Sequence, residues 1–230
     1  MIYAVIAAGG IGSRMGAEMP KQYINVADKP IIAHTVQKFL DSEIFRRVIV
    51  LCPDEWCDYT QKLLKEHCNS DRIAVIEGGK DRNETIMNSV RYIEKCDGLD
   101  KSTVIVTHDA VRPFVTAEII ASHIEASEKY DAIGTVIPAT DTIIESCDGL
   151  TVTATPDRSR LYQCQTPQTF RAIKLSELYN KLSEDKKAIL TDTCSIFTVS
   201  GEEVHLVKGD VQNIKITYPY DLKVAEVIIK

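Results

Sequence analysis

A short apolar run near the start of the chain, Ile2-Tyr3-Ala4-Val5-Ile6-Ala7-Ala8-Gly9-Gly10, meets two glycines at once. Four more runs rich in valine and isoleucine follow it, and segments with helical spacing of apolar residues lie between them. These runs are Arg47–Cys52, Ile73–Ile76, Thr103–Thr107 and Ala132–Ile137. Because short apolar strands that alternate with helices build parallel sheets, the pattern predicts an α/β fold with a mainly parallel sheet and helices on both faces.

The predicted helices carry their own start signals. Asp81 is followed three residues later by Glu84, which forms a capping-box-like pair, and Pro30 suits the first turn of a helix. The helical segments are Pro30–Leu40, Asp54–Cys68, Asp81–Glu94 and Thr116–Lys129, with others near Ala172–Leu182, near 192–200 and from Pro219. A last strand pair is predicted at Glu203–Val207 and Asn213–Thr217.

The alternation of strands and helices stops after the fifth strand. Two stretches, Thr140–Ser146 and Thr151–Thr155, flank Asp148-Gly149, which is a strong hairpin signal. This indicates a β-arm at about 139–156 that projects from a single domain spanning residues 1–230. Since a two-stranded arm is marginally stable alone and exposes unpaired backbone, we expect a second subunit to cover it, which predicts a homodimer.

Composition excludes several classes of protein. The 230 residues include 27 Lys and Arg against 33 Asp and Glu, a net charge of −6 that disfavours a nucleic-acid partner. No apolar run approaches the ~18 residues of a membrane span, and the first residues lack the basic start of a signal peptide, so no membrane contact is expected. Seven scattered cysteines without a C-x-x-C pair predict neither a disulfide framework nor a zinc site. We therefore expect a cytoplasmic protein.

The loop after the first strand combines glycines with two cations. It reads Ala7-Ala8-Gly9-Gly10-Ile11-Gly12-Ser13-Arg14-Met15-Gly16, followed by Pro20-Lys21-Gln22. Glycines here let backbone N–H groups approach a phosphate chain, although the spacing fits neither the dinucleotide fingerprint nor the P-loop. Glycines alone would also fit a plain strand-to-loop connection. Arg14 and Lys21 favour a site that neutralises charge as pyrophosphate leaves a triphosphate.

Two further motifs follow predicted strands. Gly78-Gly79-Lys80-Asp81-Arg82-Asn83-Glu84-Thr85 places a glycine pair at a helix start, where an anion binds well. His108-Asp109-Ala110-Val111-Arg112-Pro113-Phe114 lies where open α/β sheets bind ligands. We expect Asp109 near a triphosphate and its Mg²⁺ and Arg112 on a phosphate, with a plain Asp109–Arg112 ion pair as the alternative. His108 is expected to be structural, because an ionised phosphate monoester needs no general base.

These motifs, in order along nearly the whole chain, resemble those of the polyol-phosphate cytidylyltransferases. The resemblance includes Asp141-Thr142, Gln165-Thr166-Pro167-Gln168, Thr191-Asp192 and Asn213-Ile214-Lys215. It implies a Rossmann-like nucleotidyltransferase fold and transfer of a cytidylyl group from CTP to a polyol phosphate. It also implies Mg²⁺ held mainly by the CTP phosphates, with no metal site made by the protein alone.

The resemblance assigns a role to each matching position. Residues expected to bind CTP are Ala7, Ala8, Gly9, Gly10, Lys80, Asp81, Arg82, Asn83, Glu84, Thr85 and Ala110. Catalysis is expected from Arg14, Lys21, Arg158 and Lys215, and binding of the acceptor from Asp109, Arg112, Thr142, Thr166 and Thr191. Thr142, on the arm, is expected to serve the neighbouring subunit's site. Helix capping is the alternative role of Asp81 and Glu84.

The acceptor is predicted from segments whose sequence differs between the members of the family that this chain resembles. Residues 80–88, Val111, residues 161–170 and residues 219–225 are more similar to the ribitol-5-phosphate enzymes of teichoic-acid synthesis, whereas Ala7, Ala110 and Cys164 depart from that group. We therefore expect D-ribitol 5-phosphate as the acceptor and CDP-ribitol as the product, with 2-C-methyl-D-erythritol 4-phosphate of isoprenoid synthesis as the alternative. A non-catalytic nucleotide-binding protein is disfavoured, because Arg14, Lys21 and Lys215 are all present.

Overall fold

The computed structural model describes residues 1–10 and 19–229, in which strands and helices alternate along most of the chain. The strands are β1 (Ile2–Ala7), β2 (Asn25–Val26), β3 (Lys29–Pro30), β4 (Arg47–Cys52), β5 (Ile73–Glu77), β6 (Val104–Asp109), β7 (Ala132–Pro138), β8 (Tyr162–Arg171) and β9 (His205–Lys208). The helices are α1 (Ile31–Asp41), α2 (Cys57–His67), α3 (Arg82–Asp97), α4 (Ala117–Ala126), α5 (Ala172–Lys181), α6 (Glu184–Ala188), α7 (Cys194–Val199) and α8 (Pro219–Ile229). In these ranges, no helix has both the length and the apolar character needed to cross a bilayer.

The main sheet has the strand order β5-β4-β1-β6-β8-β7-β9 within the described residues. β5, β4, β1 and β6 pair in parallel, β8 runs antiparallel to β6 and β7, and β9 is parallel to β7. Six strands therefore share one direction and β8 is reversed, which confirms the mainly parallel α/β fold. The chain moves to opposite sides of β1 after β1 and after β5, so a crevice opens at the carboxyl ends of β1 and β6.

Helices cover both faces of the sheet because β1 is apolar on both. Ala4 and Ile6 belong to a core cluster with side chains of α1, α2 and α4. Tyr3 and Val5 belong to a second cluster with side chains of α3, α5 and α7. The two layers hold β1 and β6 in register, with Ala7 opposite Asp109, and so bring together the loops that follow these strands.

In the C-terminal half the structure contains one strand that the sequence analysis does not predict, and one predicted strand is wrong. β8 was not expected, because its buried residues Gln165, Thr166, Gln168 and Thr169 are polar and leave no alternation of apolar residues to read. The predicted strand Asn213–Thr217 has irregular backbone, and β9 pairs with β7 instead. Side chains hold that segment in place of strand pairing: Ile216 packs with Val111 and Ala225.

The segment 139–156 leaves the sheet after β7 and returns to it at β8. Residues 140–155 are exposed, and one antiparallel bridge joins Glu145 to Ala154. The Asp148 carboxylate closes the turn by accepting hydrogen bonds from the backbone N–H groups of Leu150 and Thr151, both at 2.8 Å. The segment is therefore exposed outside the sheet, and a single bridge stands where two strands are predicted.

Two buried histidines are neutral in the folded chain. His123 lies between two hydroxyls, with Nε2 2.7 Å from Thr135 Oγ1 and Nδ1 2.8 Å from Thr169 Oγ1. Thr135 donates its hydroxyl hydrogen to the Pro167 carbonyl, so His123 Nε2 must be the donor to Thr135. Burial lowers the pKa of His123 to about 3 and that of His108 to about 4.

We expect the free energy of unfolding to fall as the pH is lowered from about 6.5 to 4. In this window the unfolded chain protonates His108 and His123 while the folded chain keeps them neutral, so acid favours unfolding by roughly 3 kcal/mol for each histidine. Urea titrations at several pH values measure this slope. His123→Gln should flatten it, whereas His67→Gln at the end of α2 should not. An unchanged slope in His123→Gln would contradict the assignment.

Candidate active site

A cavity of about 410 Å³ lies at the carboxyl ends of β1 and β6. This volume is in the range of sites that enclose small molecules. It is lined by Ala7, Ala8, Gly9, Gly10, Lys21, Gln22, Gly79, Lys80, Asp81, Arg82, Thr85, Asp109, Ala110, Val111 and Lys215. All these residues except Gln22, Gly79 and Val111 are among the predicted site residues, and they come from five separate segments of the chain.

The loop after β1 offers open backbone to the cavity. Among residues 1–10 and 19–229, no atom other than those of the chain neighbours lies within 4 Å of a Cβ placed at Gly9 or Gly10, so the described part of the chain leaves space beside this backbone. Gln22 is 1% exposed and its Nε2 donates to the Ala8 carbonyl at 2.6 Å, which fixes the start of this loop. Arg14 lies outside the described residues. Gln22 was not predicted as a site residue, although its place beside Lys21 in the same motif was a usable signal.

The start of α3 is built from side chains that satisfy its own backbone. Asp81 Oδ1 accepts from Glu84 N at 2.8 Å, and Glu84 Oε2 accepts from Lys80 N at 2.9 Å. Thr85 Oγ1 donates to the Asp81 carbonyl at 2.7 Å and accepts from Gly79 N at 2.9 Å. A Cβ atom at Gly79 would lie 2.7 Å from the backbone carbon of Glu84, so only glycine fits this turn. The positive end of the helix dipole therefore borders the cavity in a fixed geometry.

Three cations surround one buried carboxylate at the floor of the site. Asp109 is 5% exposed; its Oδ1 pairs with Arg82 Nη1, and its Oδ2 lies 2.9 Å from Lys215 Nζ and 3.7 Å from Arg112 Nε. Burial alone would raise the pKa of Asp109, but Arg82, then Lys215 and Arg112, lower it far below its usual range. The carboxylate is therefore ionised, and the cluster keeps an excess of positive charge that suits a polyphosphate.

Arg112 and Thr166 lie next to Asp109, although they do not line the cavity. The Asp109 backbone N–H donates to Thr166 Oγ1 at 3.1 Å, and Arg112 Nη1 donates to the Asn213 carbonyl at 2.7 Å. His108 Nε2 lies 3.0 Å from the Arg112 carbonyl, and the ring is completely buried. This geometry agrees with the structural role expected for His108.

The other predicted residues are not brought to the cavity within one chain. Asn83 is buried and accepts from the Thr193 hydroxyl at 3.3 Å, which ties α3 to the start of α7. Thr191 is exposed before α7. Thr142 and Arg158 are exposed on or beside the arm, where Arg158 Nη1 donates to the Thr140 carbonyl at 2.8 Å.

Residues 2–230 match the model of the family described as IspD: 2-C-methyl-D-erythritol 4-phosphate cytidylyltransferase. The chain belongs to this family. The expectation that it is a cytidylyltransferase, and thus a nucleotidyltransferase enzyme, is confirmed. Family membership also supports CTP and a sugar phosphate as its class of substrates.

Solved structures of the family have the same fold over the whole chain. The 4-diphosphocytidyl-2C-methyl-D-erythritol synthase of Anaerococcus prevotii matches with a TM-score of 0.82 and 27% identity, covering 100% of this chain and 96% of that one. The 2-C-methyl-D-erythritol 4-phosphate cytidylyltransferase of Francisella tularensis matches with a TM-score of 0.83 and 28% identity, covering 98% of each chain.

The prediction of D-ribitol 5-phosphate and teichoic-acid synthesis is wrong, because the family model and these structures are those of methylerythritol-phosphate enzymes. The structure shows why the segments behind that prediction were misleading. Asp81, Glu84 and Thr85 bond to the backbone around the start of α3. Gln165 and Thr166 are buried in β8 against the protein's own backbone. Because these residues stabilise the fold, their identity carries little information on the carbon skeleton of the acceptor.

Proposed function

We propose that this protein transfers a cytidylyl group from CTP to 2-C-methyl-D-erythritol 4-phosphate, releasing pyrophosphate. The observation that carries the proposal is the cationic cluster of Arg82, Arg112 and Lys215 around Asp109, which borders a cavity between two glycine-containing loops. This arrangement suits a polyanionic nucleotide and a second phosphate. The acceptor follows from membership of the family.

CTP occupies the cavity with its nucleoside along Ala7–Gly10 and its phosphates toward Lys80–Thr85. Ala8 and Ala110 are buried, at 3% and 1% exposure, and their small side chains leave room for a flat nucleoside on the backbone. Arg82 and the N-terminus of α3 provide positive charge for the phosphates. Asn83 and Glu84 support this segment through the hydrogen bonds described above.

In the proposed reaction, an oxygen of the acceptor phosphate attacks the α-phosphorus of CTP. The bond from that phosphorus to the β-phosphate oxygen breaks in line, and pyrophosphate leaves with the electron pair. The acceptor oxygen is already ionised, so no general base is required, and the buried neutral His108 has no such role. Arg14 and Lys21 stabilise the charge on the transferring and leaving groups, while Lys215 and Arg158 place the acceptor phosphate.

Mg²⁺ enters this proposal as an ion carried by the phosphates. Of the described residues, Asp81 and Asp109 bring carboxylates to the cavity, and nowhere among residues 1–10 and 19–229 do three potential metal-ligating side chains cluster. Mg²⁺ commonly binds through one or two carboxylates and several phosphate oxygens, so the residues present fit a phosphate-borne ion, with Asp109 as its carboxylate. When bound, the ion would neutralise phosphate charge.

The acceptor is held by Arg112, Thr166 and Thr191, together with Thr142 from a second subunit. The exposed Thr142 and Thr191 supply hydroxyl donors for the hydroxyls of the substrate. Arg112 and Thr166 lie beside Asp109 behind the cavity wall, where Arg112 adds positive charge for the phosphate and Thr166 holds the backbone of Asp109. Thr142 lies on the exposed arm, so its participation requires a homodimer in which the arm reaches the partner.

Purified protein should convert CTP and 2-C-methyl-D-erythritol 4-phosphate with release of pyrophosphate. We expect kcat/KM for this acceptor to exceed that for D-ribitol 5-phosphate by about 100-fold or more, because hydroxyls in wrong positions leave buried polar groups unpaired. Pyrophosphate release and product mass measure both reactions. The Lys215→Ala protein, prepared in the same way, excludes a contaminating enzyme. Failure to turn over methylerythritol phosphate would contradict the proposal.

The arm should be the contact that forms the dimer. Its apolar side chains are exposed in one chain, at 52% for Ile144, 89% for Leu150 and 59% for Val152. We expect the protein to be dimeric by light scattering, and the double substitution of Ile144 and Val152 by glutamate to shift it to monomer, because charged groups resist burial. Val227→Glu on α8, also at an exposed apolar position, is the matched control. A dimer that survives the arm substitutions would refute this assignment.

A further inference from the structure

The segment that carries Lys215 has no regular secondary structure. Residues 209–217 follow β9 with irregular backbone, yet Lys215 Nζ lies 2.9 Å from Asp109 Oδ2. A lysine side chain has many rotamers, and holding its ammonium group in one place costs conformational entropy. The backbone at Lys215 must therefore be fixed by contacts elsewhere in this segment.

The buried side-chain amide of Gln165 forms hydrogen bonds to residues 209–217 at two points. Gln165 in β8 is 5% exposed; its Nε2 donates to the Asp210 carbonyl at 2.8 Å, and its Oε1 accepts from Asn213 Nδ2 at 3.2 Å. Gly209 N donates to the Val136 carbonyl at 2.8 Å. A Cβ atom at Gly209 would overlap the Gln165 side chain, so glycine is needed for the segment to approach β8 this closely.

Asn213 links the hydrogen bonds of Gln165 to the cationic cluster around Asp109. It is completely buried, and Nδ2 also donates to the Thr166 carbonyl at 2.8 Å, while the Asn213 carbonyl accepts from Arg112 Nη1 at 2.7 Å. The hydroxyl of Thr166 in turn accepts from the backbone of Asp109 at 3.1 Å. Two neighbouring residues of β8 thus hold both the Lys215 segment and the backbone of its carboxylate partner.

We propose that Gln165 and Asn213 form an amide clamp that positions Lys215 for the transfer step. This inference rests on the proposed function, because it takes Lys215 as a group that contacts the reacting phosphate. Neither amide borders the cavity, so both are positioning residues. A purely structural pair would affect the reaction equally whether or not Lys215 is present.

A double-mutant cycle on the full-length protein separates these two cases. We expect Asn213→Ala to lower kcat at least 10-fold with less than a threefold change in the KM for CTP. In the Lys215→Ala protein, the same substitution should cause less than a twofold further loss, because the group it positions is gone. If the reduction of kcat in the double variant equalled the product of the reductions in the two single variants, the two residues would act independently and the clamp would be refuted.

Two further variants make the result independent of folding defects. Gln165→Leu removes the two hydrogen bonds made by the Gln165 amide and should reproduce the cycle if Asn213→Ala does not fold. Gln212→Ala changes an exposed neighbour in the same segment and should leave kcat unchanged. The unmodified protein is assayed in parallel: its failure to turn over methylerythritol phosphate would refute the proposed function. If the unmodified protein turns over methylerythritol phosphate but Asn213→Ala lowers kcat as much in the Lys215→Ala protein as in the native one, the clamp is refuted and the proposed function stands.

Discussion

Replacement of Lys21 by alanine should lower kcat for cytidylyl transfer by about 10² to 10³, with a change of less than about threefold in the KM for CTP. Lys21 lines the cavity and is 7% exposed, so its ammonium group acts where little water competes. Tyr23 fixes the short turn Lys21–Tyr23 in place: it stacks on Trp56 with ring centroids 4.9 Å apart, and its hydroxyl lies 2.7 Å from Thr60 Oγ1. A cation held in advance stabilises the charge that develops as pyrophosphate leaves.

Steady-state kinetics with CTP and 2-C-methyl-D-erythritol 4-phosphate test this prediction. Lys62→Ala, at an exposed position of α2, is the matched control and should retain the native rate. Lys21→Arg keeps the charge but changes its geometry, and we expect a rate between those of the native and alanine proteins. If Lys21→Ala raised the KM for CTP and left kcat intact, Lys21 would contribute to ground-state binding and its assigned role would be wrong.

Replacement of Asp109 by asparagine should destabilise the folded protein by about 3 to 5 kcal/mol and should also make it more responsive to polyanions. The native carboxylate is buried and compensates Arg82, Arg112 and Lys215. Without its charge, three cations remain close together with no counterion inside the cluster. A bound polyanion replaces that charge, so tripolyphosphate should raise the unfolding midpoint of Asp109→Asn more than that of the native protein.

Urea unfolding with and without tripolyphosphate measures both effects, and Asp97→Asn is the matched control. Asp97 has a side chain that is 4% exposed and pairs with Arg46 at 2.8 Å and Arg47 at 3.2 Å, away from the cavity. Loss of the Asp97 charge should destabilise the folded protein by a similar amount. Tripolyphosphate should raise the unfolding midpoint of Asp97→Asn no more than that of the native protein. An equal response of the two variants to tripolyphosphate would show that the Asp109 cluster is not an anion site.

The elements that can be predicted from the sequence are those whose cause is local. β1, β4, β6 and β7 are short apolar runs that are mostly buried on both faces, and the edge strand β5 is a similar run that is half-buried, so composition alone marks them. The start of α3 is equally local, because Asp81 and Glu84 cap their own turn. The two glycine-containing loops follow strands in the sequence, and parallel strands end at one edge, so their convergence on a cavity could also be predicted.

Features whose partners lie far apart in the chain could not be predicted in this way, because they form only in the folded protein. β8 is polar because its glutamines and threonines bond to groups far away in the chain: Gln165 and Thr166 bond to backbone, Gln168 to the Asp192 carboxylate and Thr169 to the His123 ring. Strand periodicity does not reveal such contacts. The segment before α8 is held by the Asn213 amide and by burial of Ile216 rather than by strand pairing. The carboxylate with its three cations joins residues from α3, β6 and the segment after β9. Its charge balance exists only once the sheet has brought these elements together, because electrostatic interactions depend on distance and burial and not on order in the sequence.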